Sequence, residues 1–479
     1  MVRTTIAASL AGALLAGGSP AATAQPSTPG LRQAPEATGY RDAVSAPKED
    51  SYYPAKGDPR IDTLHYGLDL SWSPRSRTLT GTASIRFRAT RATKHIQLDL
   101  GGPLRVSEVR LDGAPVHYRH PGKDLIVRTG RLAASSRHSL RVHYAGTPRP
   151  VRAPVSRSDI ATVGWTTTST GQVWTMQEPF GAYTWYPVND HPSDKAFYDA
   201  RISAPKRWVG IFNGELVDRR TTAHRTITRF HLDSPAASYL TTIAIGPYER
   251  MALRGPGGLP VVGWVEPGRD RQRRLVEQMP RLLRWLEARL GPYPFDRAGA
   301  VFVPSESAME TQTLVTMGTG QLSGGSGHAR AVMLHELAHQ WYGDSVTPRD
   351  WRDLWLNEGF ATYLQFRWSA THGGSPMRFI VNYLRDNDQR YRNRYGPPGD
   401  YYRDEFASTN VYYCTALMLI ELRAKIGKAA FADVLRAWPQ QHRSSNQSRA
   451  SYIAWLNDRT DRHLGHFVRE WLMSPTTPS

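Results

Sequence analysis

The chain has 479 residues, 40% hydrophobic and 10% aromatic, with 14 tryptophans and 22 tyrosines; that length calls for two or three domains, and that composition excludes a disordered chain. Its one cysteine, Cys414, rules out an intrachain disulfide and a cysteine-based zinc site, so any metal must sit among histidines and carboxylates. The formal charge of +18 comes almost entirely from arginines scattered along the chain; without a dense basic block or a nucleic-acid-binding fingerprint it describes a basic, solvated surface, and no nucleic-acid partner is expected.

Residues 1–24 open with Arg3, pass through a short apolar run from Ile6 to Leu15 and end at Ala22-Thr23-Ala24, the pattern of a cleaved signal peptide. The run is too short to span a bilayer and no later stretch approaches 18 apolar residues, so a secreted, extracellular protein with no integral membrane segment after cleavage is expected. Residues 25–58, rich in Pro, Ala, Gly, Ser and charge, read as a flexible leader. Over 59–255, runs such as DTLHYGLDLSW, TLTGTASIRFRAT and HSLRVHYAG alternate polar and apolar residues between Gly, Pro and Asp, which predicts an N-terminal antiparallel β domain of sandwich type.

Past Gly255-Pro256-Gly257-Gly258 the period changes. RDRQRRLVEQMPRLLRWLEARLG carries apolar residues at helical spacing and closes at Gly291-Pro292. The segment AGAVFVPSESAMETQTLVTMG is strand-rich, and from Gly327 onward the chain reads as mainly helical. Strands followed by helices predict an α+β second domain over 256–479 that ends in helices.

Within that domain, MLHELAHQWYGDSV places His335 and His339 four residues apart, so on a helix both imidazoles project from one face toward one ion, with Glu336 rotated beside them. A catalytic zinc takes three protein ligands and leaves one position for water. Glu358, in DLWLNEGFATY after eighteen intervening residues, is the candidate third ligand, because the apolar flanks Trp355, Leu356 and Phe360 make an unpaired carboxylate there costly.

HELAHQW followed by WLNEGFA at this spacing resembles the aminopeptidase-N family of zinc metallopeptidases, which are thermolysin-like gluzincins. The resemblance implies a thermolysin-like catalytic domain, one zinc ion held by His335, His339 and Glu358, and Glu336 as general base toward a zinc-activated water. SESAMETQTLVTMG resembles the family's G-x-M-E-N exopeptidase motif, with Ala308, Met309 and Glu310 matching and Ser307 and Thr311 in place of Gly and Asn. By that resemblance Glu310 pairs with the protonated α-amine of a peptide, Met309 lines the pocket for its first residue, and the strand at Ala308 hydrogen-bonds the extended substrate.

TMQEPFGAYTWYPVNDHPSDKA resembles the family segment that brings a second amine-binding group from the β domain. Aligning Tyr186-Pro187 and Asp190-His191-Pro192 with F-P-x-x-D-E-P puts Glu178 at that position, with its neighbour Gln177 as the alternative. NVYYCTALMLIELRAKIG resembles V-Y-x-K-G-A, whose tyrosine hydroxyl donates to the oxyanion of the tetrahedral intermediate. Register with Val411 and Ala416 points to Tyr412, adjacent Tyr413 is the alternative, and Cys414 and Thr415 replace the usual Lys and Gly. The function implied is a secreted zinc aminopeptidase acting, as a monomer, on peptides with a free N-terminal amine. A thermolysin-type endopeptidase and a catalytically inactive basic binding protein are the alternatives.

Overall fold

The computed structural model describes residues 40–478; the signal-peptide pattern and residues 25–39 of the leader lie outside the described residues. From Ile61 the alternation seen in the sequence becomes strand. An eight-stranded sheet runs in the order Glu215–Thr221, Arg225–Ala237, Lys195–Pro205, Ile61–Ser73, Thr78–Ala89, Arg137–Gly146, Leu104–Leu111, Ala114–Pro115. Along Thr78–Ala89 burial alternates residue by residue, with Leu79, Gly81, Ala83, Ile85, Phe87 and Ala89 turned inward, as a strand covered on one face requires. A second sheet of five strands and a third of three complete this part.

One pairing departs from the antiparallel expectation: Ile61–Ser73 lies parallel to Lys195–Pro205, with Tyr66 opposite Tyr198. More than a hundred residues separate the two strands. A parallel pair needs a crossover connection, for which this separation leaves ample chain, whereas a tight hairpin imposes antiparallel pairing.

The second part opens with a mixed sheet ordered Glu249–Arg254, Pro260–Val265, Ala298–Val303, Val315–Gly318, Ala308–Met309. Pairing thus assigns 249–254 to this sheet, a few residues before the change of period in the sequence. The helices are α1 (Asp270–Leu290), α2 (Gly325–His339), α3 (Trp355–Ser369), α4 (Met377–Tyr395), α5 (Thr409–Ile426), α6 (Lys428–Gln441), α7 (Arg449–Thr460) and α8 (Gly465–Met473). Helix α1 stops at Gly291, whose φ of 86° is the left-handed conformation that glycine adopts without strain.

Helices α3 and α5 meet closely at Gly359. A side-chain carbon there would lie 2.1 Å from Thr415 Cγ2, so only glycine admits the contact. The core is continuous across both parts, running from Trp72, Trp165 and Trp185 through Trp264 to Trp341, Trp355 and Trp438.

The leader expected to be flexible is corrected over residues 40–58, which pack as a strap against both parts. Tyr40, Ala43, Asp50, Tyr52 and Asp58 are buried. Asp50 accepts the backbone N–H of Trp351 at 2.8 Å and those of Tyr52 and Tyr53 at 2.8 and 2.9 Å; Lys48 pairs with Asp350, and the N–H of Ser45 donates to Asp62 at 3.0 Å. Carboxylates that accept several backbone N–H groups hold a polar segment in place without an apolar run.

Candidate active site

The sequence RAVMLHELAH is rich in good helix formers and continues α2 into the interior, where every residue from Met333 to His339 is buried. Helix α3 begins at Trp355 and delivers Glu358 from its first turn. The short edge strand Ala308–Met309 leads into Glu310, and the chain leaving strand Val173–Met176 of the β part carries Glu178 to the same place. Together with Tyr412 of α5, these residues line a cavity of about 230 Å³.

His335 Nε2 lies 3.1 Å from Glu358 Oε2, His339 Nε2 lies 3.4 Å from the same oxygen, and the two Nε2 atoms are 3.0 Å apart. Tetrahedral zinc with ligands at about 2.0–2.1 Å separates their atoms by roughly 3.3 Å, so only a slight spreading admits the ion. The tautomer fits as well. His339 Nδ1 donates to the carbonyl of Tyr342 at 3.0 Å, which leaves the Nε2 lone pair facing the other two donors. Gly343, next in the chain, has φ of 135°, which disfavours a side chain, and a side-chain carbon there would press on the Asn357 amide at 3.2 Å.

Among the described residues, two sets of donors come close enough to share a metal ion: His335, His339 and Glu358, and Glu310, Glu336 and His339. The first has the imidazole-rich composition that zinc favours; the second is mainly carboxylate. His339 Nε2 is the only ring nitrogen that both could use, and it is aimed at Glu358 and His335.

The electrostatics are those of a buried anionic pocket. Burial pushes the Glu336 carboxyl well above the usual carboxylate range, with His339 opposing and Glu310 and Glu358 reinforcing the rise. Burial, with Glu310 and Glu358 beside it, likewise raises Glu178. Burial alone would raise Glu358 too, but the His339 and His335 rings, whose Nε2 atoms face its carboxylate, hold it below the usual range. Glu178 Oε1 and Glu310 Oε1 are buried without a hydrogen-bond partner. Buried carboxylate oxygens without partners are costly unless a cation meets them.

The side chains left ambiguous in the sequence separate here. Gln177 spends its amide inside the fold, donating to Ser238 O and Thr241 Oγ1, both at 2.8 Å, and accepting from Trp185 Nε1 at 2.9 Å, whereas Glu178 lines the cavity. Tyr412 lies parallel to the His335 ring with centroids 6.0 Å apart, whereas Tyr413, also at the cavity, packs on Phe366, Tyr383 and Tyr391. Met309 does not line the cavity, contrary to the expectation for it. Its neighbour Ala308 does, and strand alternation turns Met309 to the other face, where its sulfur accepts the backbone N–H of Gln177 at 3.3 Å.

Two residues at the site carried no signal that singled them out. Gln340, inside the quoted motif, donates its amide to Glu310 O at 2.8 Å and accepts from Thr313 N at 2.8 Å, tying the edge strand to α2. Arg157, from a β-part loop, reaches the cavity beside Tyr412. Gln340 sits inside the quoted run without any feature that marks it, and nothing distinguishes Arg157 from the many other arginines.

Two imidazoles one turn apart on a helix, a glutamate from the following helix as third donor and a buried carboxylate beside them define a zinc metallopeptidase centre of the gluzincin class. Residues 62–240 match the peptidase M1 N-terminal domain and residues 275–471 the peptidase family M1 domain, and the chain belongs to peptidase family M1. It is 24% identical over 442 residues to aminopeptidase N of Streptomyces lividans, covering 86% of this chain and 50% of that one. It is 26% identical over 341 residues to glutamyl aminopeptidase of Sus scrofa, covering 64% and 35%. The chain thus spans about a third to a half of the length of the curated relatives it matches. The crystal structure of an M1 zinc metallopeptidase from Deinococcus radiodurans superposes with a TM-score of 0.77 at 27% identity, over 90% of this chain and 97% of that one. Native yeast LTA4 hydrolase, at 22% identity and a TM-score of 0.73 over 93% of this chain and 72% of that one, shares the fold.

Proposed function

We propose that this protein is a secreted zinc aminopeptidase that removes the first residue of peptides bearing a free N-terminal amine. The observation that carries the exopeptidase reading is the pair of buried, unpartnered carboxylate oxygens, on Glu178 and Glu310, reaching one cavity from two different parts of the chain beside His335, His339 and Glu358. An ammonium group answers both oxygens, and binding it there sets the scissile bond one residue inward. In the Deinococcus radiodurans enzyme, a crystal structure of a mutant is described as bound to a Tyr-Ser-Ala substrate, which supports a short peptide as the ligand class here.

His335, His339 and Glu358 would hold the zinc ion, which supplies Lewis-acid polarisation of a carbonyl and a lowered pKa for water. Glu336, whose carboxyl is buried and raised, accepts the proton from the attacking water and returns it to the departing amine. Tyr412 donates its hydroxyl hydrogen to the oxygen that becomes negative during attack. Glu178 and Glu310 keep the amine fixed throughout, and the edge strand at Ala308 aligns the peptide backbone. Export rests on the pattern of the first 24 residues, and no helix among the described residues is long and apolar enough to cross a membrane.

The test is hydrolysis of an aminoacyl arylamide beside its N-acetyl counterpart by the zinc-loaded protein. The free-amine substrate is expected to be cleaved and the acetylated one left intact, because a blocked amine gives the two carboxylates nothing to pair with. Equal cleavage of both would replace this reading with an endopeptidase, and cleavage of neither, with tight binding to anionic polymers, with an inactive binding protein.

A further inference from the structure

Arg157 belongs to the loop between strands Val151–Arg152 and Thr162–Thr167 of the β part, yet it lies on the wall of the cavity. Its guanidinium is clamped on two sides. Nε and Nη2 grip the Asp159 carboxylate at 3.1 and 2.6 Å, and Nη1 donates to the carbonyl of Ala407, in the turn leading into α5, at 2.8 Å. The same Nη1 lies 3.3 Å from Tyr412 Oη, and the guanidinium carbon is 5.7 Å from the centroid of that ring.

A guanidinium has only hydrogens to offer, so at this contact the phenol oxygen must be the acceptor. The phenolic hydrogen must then point elsewhere, and the ring itself is held parallel to His335 at the cavity. We propose that Arg157 is a positioning residue for Tyr412: by donating to Oη it fixes the hydroxyl rotor with the hydrogen directed into the cavity, ready for the oxyanion. A hydroxyl that accepts a charged hydrogen bond also becomes a stronger donor, because hydrogen bonds in series polarise one another. The two clamps already engage three of the five guanidinium hydrogens, and the Tyr412 contact takes a fourth, which favours this role over direct capture of a substrate carboxylate. The β part would thereby supply both ends of the reaction: the amine anchor through Glu178 and the aim of the oxyanion donor through Arg157.

This inference rests on the reading of Tyr412 as oxyanion donor, and a double-mutant cycle keeps the two apart. On the zinc-loaded full chain, kcat and KM for an aminoacyl arylamide are measured for wild type, Arg157→Gln, Tyr412→Phe and the double variant, with melting curves to verify folding. Arg157→Gln is expected to lower kcat about tenfold, the worth of one well-placed hydrogen bond, with KM nearly unchanged. In the Tyr412→Phe background the same change should cost less than about twofold, since no hydroxyl remains to be aimed. Arg157→Lys, which keeps the charge, should recover part of the loss, and it carries the cycle if the Gln variant does not fold. An equal loss of kcat in both backgrounds, or a change confined to KM, overturns the positioning role. If Tyr412→Phe alone leaves kcat unchanged, the oxyanion reading fails, and the role of Arg157 falls with it.

Discussion

At the scale of single residues, Glu336 shows how burial makes chemistry. It follows His335 on a fully buried helical turn, so it stands beside the metal donors without being one of the three, and burial raises its carboxyl into a more basic range. Replacing it by Gln keeps the shape and removes the basicity. Glu336→Gln is expected to lower kcat by about 10²–10⁴-fold, the usual contribution of a general base, while zinc content by elemental analysis stays at the wild-type level. Loss of zinc in that variant would make Glu336 a ligand instead. His335, His339 and Glu358 were legible in the sequence because their spacing encodes helix geometry, and Glu310 and Glu178 because neighbouring residues match a known pattern. Arg157 was not, since a loop arginine in an arginine-rich chain has no period and no neighbour to mark it. Met309 stands apart from the residues lining the cavity because the motif specifies the strand, while the pleat decides which face the side chain takes.

At the scale of elements, the site depends on how closely α3 and α5 approach, because α3 carries Glu358 and α5 carries Tyr412. The contact is Gly359 on Thr415, the position where this chain departs from the glycine usual in the resembling motif. Gly359→Ala puts a methyl group 2.1 Å from Thr415 Cγ2, and the helices must separate. The expected cost is about 1–3 kcal/mol, read as a lowered melting temperature, accompanied by a fall in kcat. Combining it with Thr415→Gly removes the obstruction, so the pair should lose less than the sum of the two single changes; strict additivity would show that the helices do not press on each other there. Alternation and helical spacing made most strands and helices readable, because both periods are local. The parallel pairing of Ile61–Ser73 with Lys195–Pro205 was not, because nothing local to either strand names a partner so far along the chain.

For the whole molecule, the question is what holds the β part against the helices so that Glu178 and Arg157 reach a site made mostly by the other part. Lys195, buried at the start of its strand, donates to the carbonyls of Asp344 and Ser345, just past α2, at 2.8 and 3.1 Å. Burial pushes its ammonium from 10.5 down to about 7, with Asp344 opposing. Between about 7 and about 10.5 the unfolded chain holds a proton that the folded chain has released, so this group makes stability rise with pH across that window; below it both forms are protonated and the slope disappears. In urea titrations, wild type minus Lys195→Met should therefore gain up to about 1.4 kcal/mol per pH unit between those limits, and a flat difference would mean that Lys195 is solvated. The strap of residues 40–58 works toward the same end through Asp50 and Asp350. Composition marked it as leader because composition does not register which backbone groups a carboxylate will meet. All of these contacts serve one convergence, that of His335, His339 and Glu358 on a single ion. The direct measurement is zinc content and affinity of the wild type against Glu358→Ala, by elemental analysis after dialysis and by calorimetry. One zinc per chain in the wild type and at least a tenfold weaker site in the variant are expected, in line with the loss of one of three ligands; full, undiminished zinc binding by Glu358→Ala would contradict the account.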